Sequence, residues 1–141
     1  MKKFISRNER ETIDFAKSFA KNLKGREVIA LSGDLGAGKT AFTKGLAEYF
    51  QIKQKITSPT FVFMKVYDTK VSKEIRKLVH IDAYRLDDNQ DFGSIGIQEY
   101  LGDQNVISVI EWPERLEKII PKNCLKIKLK YLDENSREIS Y

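Results

Sequence analysis

The chain has 141 residues and carries 25 Lys and Arg against 20 Asp and Glu, which gives a formal net charge of +5. This length predicts a single domain, residues 1–141, with little room for a separate substrate domain. The sequence contains neither an apolar run of the ~18 residues that a membrane-spanning helix needs nor the apolar segment of a secretory signal. One cysteine and one histidine exclude an internal disulfide and the usual zinc clusters. We therefore expect a cytoplasmic protein.

The first predicted elements are a helix and a short strand. Residues 6–9, Ser-Arg-Asn-Glu, fit a capping box that opens a helix. Gly25 is the predicted end of this helix, and residues 28–31 form an apolar run typical of a buried strand. The apolar stripe of the predicted helix consists of Ile13, Ala16, Phe19, Ala20 and Leu23.

A phosphate-binding loop follows this strand. Residues 33–40 read Gly-Asp-Leu-Gly-Ala-Gly-Lys-Thr, a complete G-x-x-x-x-G-K-[ST] motif, and residues 41–50 continue at helical spacing. The glycines allow successive backbone N–H groups to point at phosphate oxygens, and the following helix adds the positive end of its dipole. Lys39 is expected to reach the β- and γ-phosphates, and the Thr40 hydroxyl to ligate Mg²⁺. Strand, loop and helix in this order indicate a nucleotide-binding domain.

The second half of the chain predicts further strands in a mixed sheet. Residues 61–67 and 77–82 read as two strands whose nine-residue separation is too short for a helical crossover, so we expect an antiparallel hairpin. The later predicted segments are a loop with one or two short helices in 87–101, a buried strand at 106–111, a short helix at 113–120, and strands at 125–131 and 137–141. We therefore predict an α/β layered domain.

A lysine-rich segment precedes the C-terminus. Five lysines and no acids lie between residues 118 and 130, and residues 125–131 alternate between apolar side chains and lysines. The alternation predicts a half-solvated strand whose lysines discourage pairing at an exposed sheet edge. The alternative is a stripe that contacts RNA, although no aromatic side chain interleaves these lysines to stack on bases.

Two acidic residues end apolar strands, as the metal-linked acid of a nucleotide-hydrolysing site does. Asp82 and Glu111 each follow an apolar run. The alternative is a solvated strand end or the cap of the next helix, and the sequence does not rank the two acids. Residues 57–60, Thr-Ser-Pro-Thr, form either a switch loop that senses the γ-phosphate or a plain turn. His80, which lies among apolar residues, is expected to be structural rather than a catalytic base.

Four motifs lie in order along nearly the whole chain: residues 33–40, Ser58-Pro59-Thr60-Phe61, His80-Ile81-Asp82-Ala83-Tyr84-Arg85 and Ile110-Glu111-Trp112-Pro113. Together they resemble the bacterial TsaE family, formerly called YjeE. The resemblance implies a P-loop NTPase-like, three-layer α/β sandwich with a mixed, partly antiparallel central sheet. It also implies an ATPase that uses ATP and Mg²⁺ and is needed for threonylcarbamoyladenosine formation on tRNA, next to the anticodon. The implied partners are TsaD-like and TsaB-like proteins, with tRNA engaged indirectly and direct contact with tRNA left open.

The resemblance further implies roles for individual residues. Lys39, Asp82 and Glu111 form the implied catalytic set. Thr40 and Glu111 would ligate Mg²⁺, and Asp82 would support the metal or the attacking water. The implied nucleotide-binding residues are Gly33, Asp34, Leu35, Gly36, Ala37, Gly38, Lys39, Thr40, Ala41 (where many relatives have a second Thr), Thr60, Trp112 and Arg137, the last of which would approach the adenosine.

Two other functions are compatible with a phosphate-binding loop. A small P-loop kinase would phosphorylate a small molecule or a nucleic acid, but such kinases usually have a lid with several arginines, and the arginines here are scattered. A non-hydrolysing module would use ATP only to switch partner binding, and the intact set of metal-ligating residue types argues against it. The Asn-Lys-x-Asp element that reads guanine in small GTPases does not occur in the sequence, which favours ATP.

Overall fold

A seven-stranded mixed sheet organises the computed structural model, which describes residues 1–59, 62–86 and 96–141. Its strands are β1 Lys3–Ser6, β2 Val28–Ser32, β3 Met64–Asp68, β4 Lys77–Asp82, β5 Val106–Glu111, β6 Leu125–Tyr131 and β7 Arg137–Ser140. Within the same ranges the helices are α1 Glu9–Ala20 and α2 Lys39–Tyr49, with 3-10 turns at Ile97–Glu99 and Pro113–Leu116.

The strand order β1-β7-β6-β2-β5-β4-β3 determines where the phosphate-binding loop lies. The central strands β6, β2, β5 and β4 are parallel, and antiparallel pairs add β7, β1 and β3. Asp82 and Glu111 are register partners in neighbouring strands, and Glu111 is level with Leu31 of β2. Because parallel strands end at the same edge of a sheet, the loop after β2 meets both acids there.

Helices α1 and α2 cover one face of the sheet and cross each other closely. Asn8 caps α1, and its side chain accepts the N–H of Glu11 at 2.8 Å. At the crossing, Gly45 of α2 lies so near α1 that an added Cβ would be 2.2 Å from the carbonyl oxygen of Ile13. Phe42 of α2 is fully buried between the helices and the sheet. The helix that carries the loop is therefore positioned by a close contact with α1.

The other face of the sheet is covered over its central strands. A second apolar cluster joins β2, β4 and β5 to the 3-10 turns, and it includes Val28, Ile110 and Leu116. Strand β6 differs, because Ile127 and Leu129 are buried on the helix side while the three lysines that alternate with them are exposed. Among the described residues, the outer face of β6 is thus open to solvent.

The structure confirms the predicted α/β fold with a mixed, partly antiparallel sheet. The strands predicted at 77–82, 106–111 and 125–131 have the predicted bounds, and the last strand differs by one residue. Strands β3 and β4 form the predicted antiparallel hairpin. No helix in the described ranges is long and apolar enough to cross a membrane.

The prediction for the N-terminus is wrong in three respects. It lacks β1, which forms because residues 3–6 pair with β7, far away in the sequence. Ser6, predicted to open the helix, ends β1 instead, and its hydroxyl lies 2.7 Å from that of Thr12. Helix α1 also ends at Ala20, before the predicted stop at Gly25.

Three later predictions also need correction. The strand predicted from residue 61 begins at Met64, because Phe63 has a φ of 62° that a strand does not accommodate. The helix predicted at 113–120 is a single 3-10 turn, since the N–H groups of Ile119 and Ile120 both bond to Leu116 instead of continuing a helical ladder. Strand β6 is not an edge strand, because β2 and β7 pair with it on both sides. In the predicted loop at 87–101 the structure has the turn Ile97–Glu99, and residues 87–95 lie outside the described residues.

Candidate nucleotide site

The phosphate-binding loop has a backbone conformation that favours glycine. Gly36 and Gly38 have φ angles of 78° and 98°, in the left-handed region. Gly33 packs against β6, where a Cβ would lie 2.5 Å from the carbonyl oxygen of Leu129. Gly38 is the N-cap of α2 and offers no side-chain cap. The first N–H groups of α2 therefore need an outside acceptor, which an anion supplies.

The Lys39 ammonium contacts the loop that carries it. Its Nζ donates to the carbonyl oxygens of Gly33, at 2.5 Å, and Asp34, at 2.9 Å. The same atom lies 4.6 Å from the centre of the Trp112 ring, a cation–π contact. Burial lowers the pKa of Lys39, although nearby carboxylates, Glu111 foremost, act to raise it. A phosphate would compete with these carbonyl oxygens for the N–H groups of Lys39.

Two buried carboxylates lie beside the loop at the ends of neighbouring strands. Asp82 and Glu111 expose only 5% and 3% of their surface. Asp82 accepts the Ser58 hydroxyl at 2.6 Å and the N–H of Tyr84 at 3.0 Å. An oxygen of Glu111 lies 3.1 Å from Nε2 of His80. Burying two acids side by side is costly unless cations and hydrogen bonds compensate them, so the pair indicates a cation-binding site.

His80 lies behind Glu111 rather than in the cavity. Its ring is fully buried in β4, and its Nδ1 has no hydrogen-bond partner among the described residues. Within the part of the chain that the structure describes, its side chain makes one polar contact, with Glu111, and it does not border the cavity described below. The geometry is that of a residue that orients Glu111.

Trp112 and the residue before it form a sharp turn at the end of β5. Trp112 has left-handed backbone angles, φ 57° and ψ 53°, which are uncommon for a bulky side chain. This conformation brings its ring over Lys39 and 5.0 Å from the ring of Tyr84. Backbone strain of this kind is concentrated at functional sites.

Arg137 supports the loop from the opposite side. Its Nε donates to the carbonyl oxygen of Gly36 at 3.2 Å, and a terminal nitrogen donates to those of Asp133 and Ser136 at 2.7 and 2.9 Å. Its guanidinium carbon lies 4.7 Å from the centre of the Tyr131 ring. Arg137 thus connects the β6–β7 turn to the loop.

These elements surround a cavity of about 670 Å³, a volume typical of small-ligand sites. Gly33, Asp34 and Ala37 belong to the loop but do not border the cavity, and Thr60 lies outside the described residues. The predicted residues that do line the cavity are Leu35, Gly36, Gly38, Lys39, Thr40, Ala41, Asp82, Glu111, Trp112 and Arg137.

Several lining residues have no assignment from the sequence. Glu9 and Thr12 come from α1, Lys44 from α2, and Glu134 and Asn135 from the β6–β7 turn. Apart from Glu9, which lies in the predicted capping box, they belong to no motif, because the helix crossing and the pairing of β6 with β7 bring them to the cavity. Only the resemblance that singled out Arg137 pointed to this part of the chain.

The residues present are chemically suited to a nucleoside triphosphate with Mg²⁺. Backbone N–H groups and the Lys39 ammonium are phosphate ligands, and the oxygens of Thr40, Asp82 and Glu111 are the ligand type that Mg²⁺ prefers. In the described part of the chain, no group of three His, Cys, Asp or Glu side chains is arranged to hold a metal alone. A Mg²⁺ ion in a nucleotide site also takes phosphate oxygens and waters as ligands.

Comparisons with known proteins agree on one family. A family model described as "Threonylcarbamoyl adenosine biosynthesis protein TsaE" matches residues 6–139. The tRNA threonylcarbamoyladenosine biosynthesis protein TsaE of Bacillus subtilis (strain 168) is 39% identical over 134 residues, covering 95% of this chain and 80% of the relative. Its counterpart in Treponema pallidum (strain Nichols) is 38% identical over 136 residues, covering 96% of each chain. The crystal structure of YdiB from Bacillus subtilis matches with a TM-score of 0.78 at 35% identity, covering 98% of this chain and 82% of that one. The chain therefore belongs to the TsaE family of tRNA threonylcarbamoyladenosine biosynthesis proteins.

Proposed function

We propose that this chain is one ATPase domain that binds ATP with Mg²⁺ and hydrolyses it to ADP and phosphate during tRNA threonylcarbamoyladenosine biosynthesis. One observation carries the proposal. Two buried carboxylates, Asp82 and Glu111, are register partners and line the same cavity as Lys39 and Thr40. Carboxylates beside a phosphate-binding loop would repel a bare phosphate, whereas they suit a phosphate that is bound together with Mg²⁺ and a water.

Phosphate binding follows from the loop and from Lys39. The backbone N–H groups of the loop and of the α2 N-terminus donate to phosphate oxygens. The Lys39 ammonium exchanges the carbonyl oxygens of Gly33 and Asp34 for phosphate oxygens, a movement confined to one side chain. Arg137, beside Gly36, is the proposed neighbour of the adenosine.

Glu111 and Asp82 have different proposed roles in hydrolysis. Mg²⁺, when bound, neutralises charge on the phosphates and polarises the bond that breaks. Thr40 and Glu111 would hold it, with Glu111 oriented by His80. Asp82 would accept a hydrogen bond from the attacking water or from a water on the metal, and its bond to Ser58 couples it to the segment at 57–60. That coupling supports the proposal that this segment senses the γ-phosphate.

The proposed partners are TsaD-like and TsaB-like proteins, on which this ATPase would act and through which it would serve tRNA modification; direct contact with tRNA is a separate question. This part of the proposal depends on family membership. We expect slow phosphate release by the chain alone and faster release when both partners are present.

The test is phosphate release from ATP with and without Mg²⁺, alone and with the two partner proteins. Thr40→Ala and Glu111→Ala should each reduce release by on the order of 100-fold or more, because each removes an oxygen ligand of the metal. Glu74→Ala is the matched control, since Glu74 is exposed in the β3–β4 turn and does not border the cavity. Full activity in both site variants would refute the metal assignments. Labelled phosphate found on an acceptor other than water would indicate a kinase, and ATP binding without release would indicate a non-hydrolysing module.

A further inference from the structure

A second charged surface lies away from the nucleotide cavity, on the outer face of β6. The side chains of Lys126, Lys128 and Lys130 alternate with buried apolar residues and are all exposed on that face; we call these three the lysine row. At about 3.3 Å per residue, they follow one line about 13 Å long. None of them borders the nucleotide cavity.

The net charge of the chain is concentrated around this row. The five lysines of residues 118–130, with no acid among them, account for a charge of +5. The remainder of the chain, 20 Lys and Arg against 20 Asp and Glu, is balanced. The excess positive charge of the protein is thus confined to a segment of 13 residues rather than spread over the surface.

Few acids oppose the lysine row. Its three side chains form no ion pair with any residue in the described ranges. Glu138, the cross-strand partner of Lys130, is paired with Lys3 at 3.2 Å. Two other acids, Glu114 and Glu117, border a groove that also includes Lys126.

Protection of a sheet edge does not explain this pattern. Lysines blunt edge strands, but β6 is hydrogen-bonded on both sides. Solubility is served equally well by charges of both signs, which the rest of the surface has. A single-sign row on an uncovered sheet face is complementary to a polyanion. Because no aromatic side chain interleaves the row, it suits a phosphate backbone rather than stacked bases.

We propose that the lysine row binds the phosphate backbone of RNA, and that this surface gives the chain a direct, sequence-independent contact with tRNA. The contact would position the RNA without reading its bases. The contact requires neither ATP nor the residues of the nucleotide cavity, so it can be tested independently of the proposed ATPase activity.

The experiment measures binding of the full chain to a fluorescein-labelled, unmodified tRNA transcript by anisotropy at several KCl concentrations. The variant is Lys126→Gln/Lys128→Gln/Lys130→Gln. The control removes the same charge elsewhere, at three exposed lysines, through Lys24→Gln/Lys53→Gln/Lys73→Gln. A third variant, with all three lysines of the row changed to Arg, keeps the charge.

We expect the Gln variant of the row to bind about tenfold or more weakly at low salt, with a slope of log K against log[KCl] that is shallower by roughly 2 to 3. The Arg variant should bind like the original chain, and the control should lose much less. Nucleotide binding and the circular dichroism spectrum should be unchanged in all variants.

Three results would overturn the proposal. The first is no measurable binding of the transcript by the unsubstituted chain at low salt. The second is an equal loss in the Gln variant of the row and in the control. The third is normal RNA binding by the Gln variant together with lost binding of the TsaD-like or TsaB-like protein, which would assign the lysine row to an acidic protein surface instead.

Discussion

The close contact between α1 and α2 predicts an effect on stability that is opposite to the effect expected from helix propensity. Gly45 lies inside α2, where replacement by Ala normally stabilises a helix by about 1 kcal/mol. Here the new Cβ would lie 2.2 Å from the Ile13 carbonyl oxygen and 2.6 Å from the Ala16 Cβ. Ordinary carbon contacts need about 3.5 Å, so α1 would have to move by about 1 Å. We therefore expect Gly45→Ala to destabilise the protein.

The size of the effect follows from two opposing contributions. Overpacking a core costs about 1–3 kcal/mol, and a cost of about 3 kcal/mol is appropriate because backbone and Cβ atoms cannot turn aside as a long side chain can. After subtracting the propensity gain, the net loss is about 2 kcal/mol. For a chain of this length, with an unfolding entropy of roughly 0.3 kcal/mol/K, the melting temperature should fall by about 7 °C.

The assay is thermal unfolding followed by circular dichroism at pH 7, with nucleotide binding measured in parallel. Nucleotide affinity should also fall, because α1 contributes Thr12 and α2 contributes Thr40 to one cavity. Lys17→Ala, at an exposed position of α1, is the control and should change stability by less than about 0.5 kcal/mol. A melting temperature for Gly45→Ala equal to or above that of the unsubstituted protein would refute the reasoning, since it would show that the helices separate without cost.

Two further predictions concern the Glu111 carboxylate and the exposed ion pairs of α1. His80→Leu should lower the turnover of ATP by about 10–100-fold with nearly unchanged nucleotide affinity, because it removes the group that orients Glu111. His80→Gln, which keeps a hydrogen-bonding group, should restore part of the rate. Equal losses of turnover in both variants would exclude this role for His80. Arg10 donates to Asp14 and Glu48, and these hydrogen bonds lower the pKa of each carboxyl below its ordinary value of 3.8 or 4.5. The stability that they add is present above those ordinary values and is lost as the pH falls through the lowered ones. The melting temperature of Arg10→Ala should therefore lie below that of the original chain at pH 7 and approach it as the pH is lowered below about 4; a constant difference would contradict this explanation.

Local sequence was sufficient where one run of residues determines the structure. The apolar run before Glu111 and the alternation around Ile127 each produced a strand with the predicted bounds. The loop at 33–40 was recognisable because its glycine spacing is required by the backbone conformation that Gly36 and Gly38 adopt.

Features that depend on distant pairing were not accessible from the sequence. Ser6 and Asn8 are both good helix caps, and the choice between them depends on β7, which draws Ser6 into β1. That Asp82 and Glu111 are adjacent follows from the order of β4 and β5, which neither strand encodes alone. The open position of Lys128 likewise depends on which strands flank β6.

The contacts that Lys39 makes within the protein affect how tightly a nucleotide binds. Its ammonium contacts two carbonyl oxygens and the Trp112 ring, so a phosphate that enters the site competes with these groups for the ammonium. For every 1.4 kcal/mol by which these internal contacts stabilise Lys39, the apparent affinity for nucleotide is weakened about tenfold. A large dissociation constant for the isolated chain would then reflect competition from the carbonyl oxygens and the Trp112 ring. A protein that moved Trp112 away from Lys39 would strengthen nucleotide binding without contacting the nucleotide.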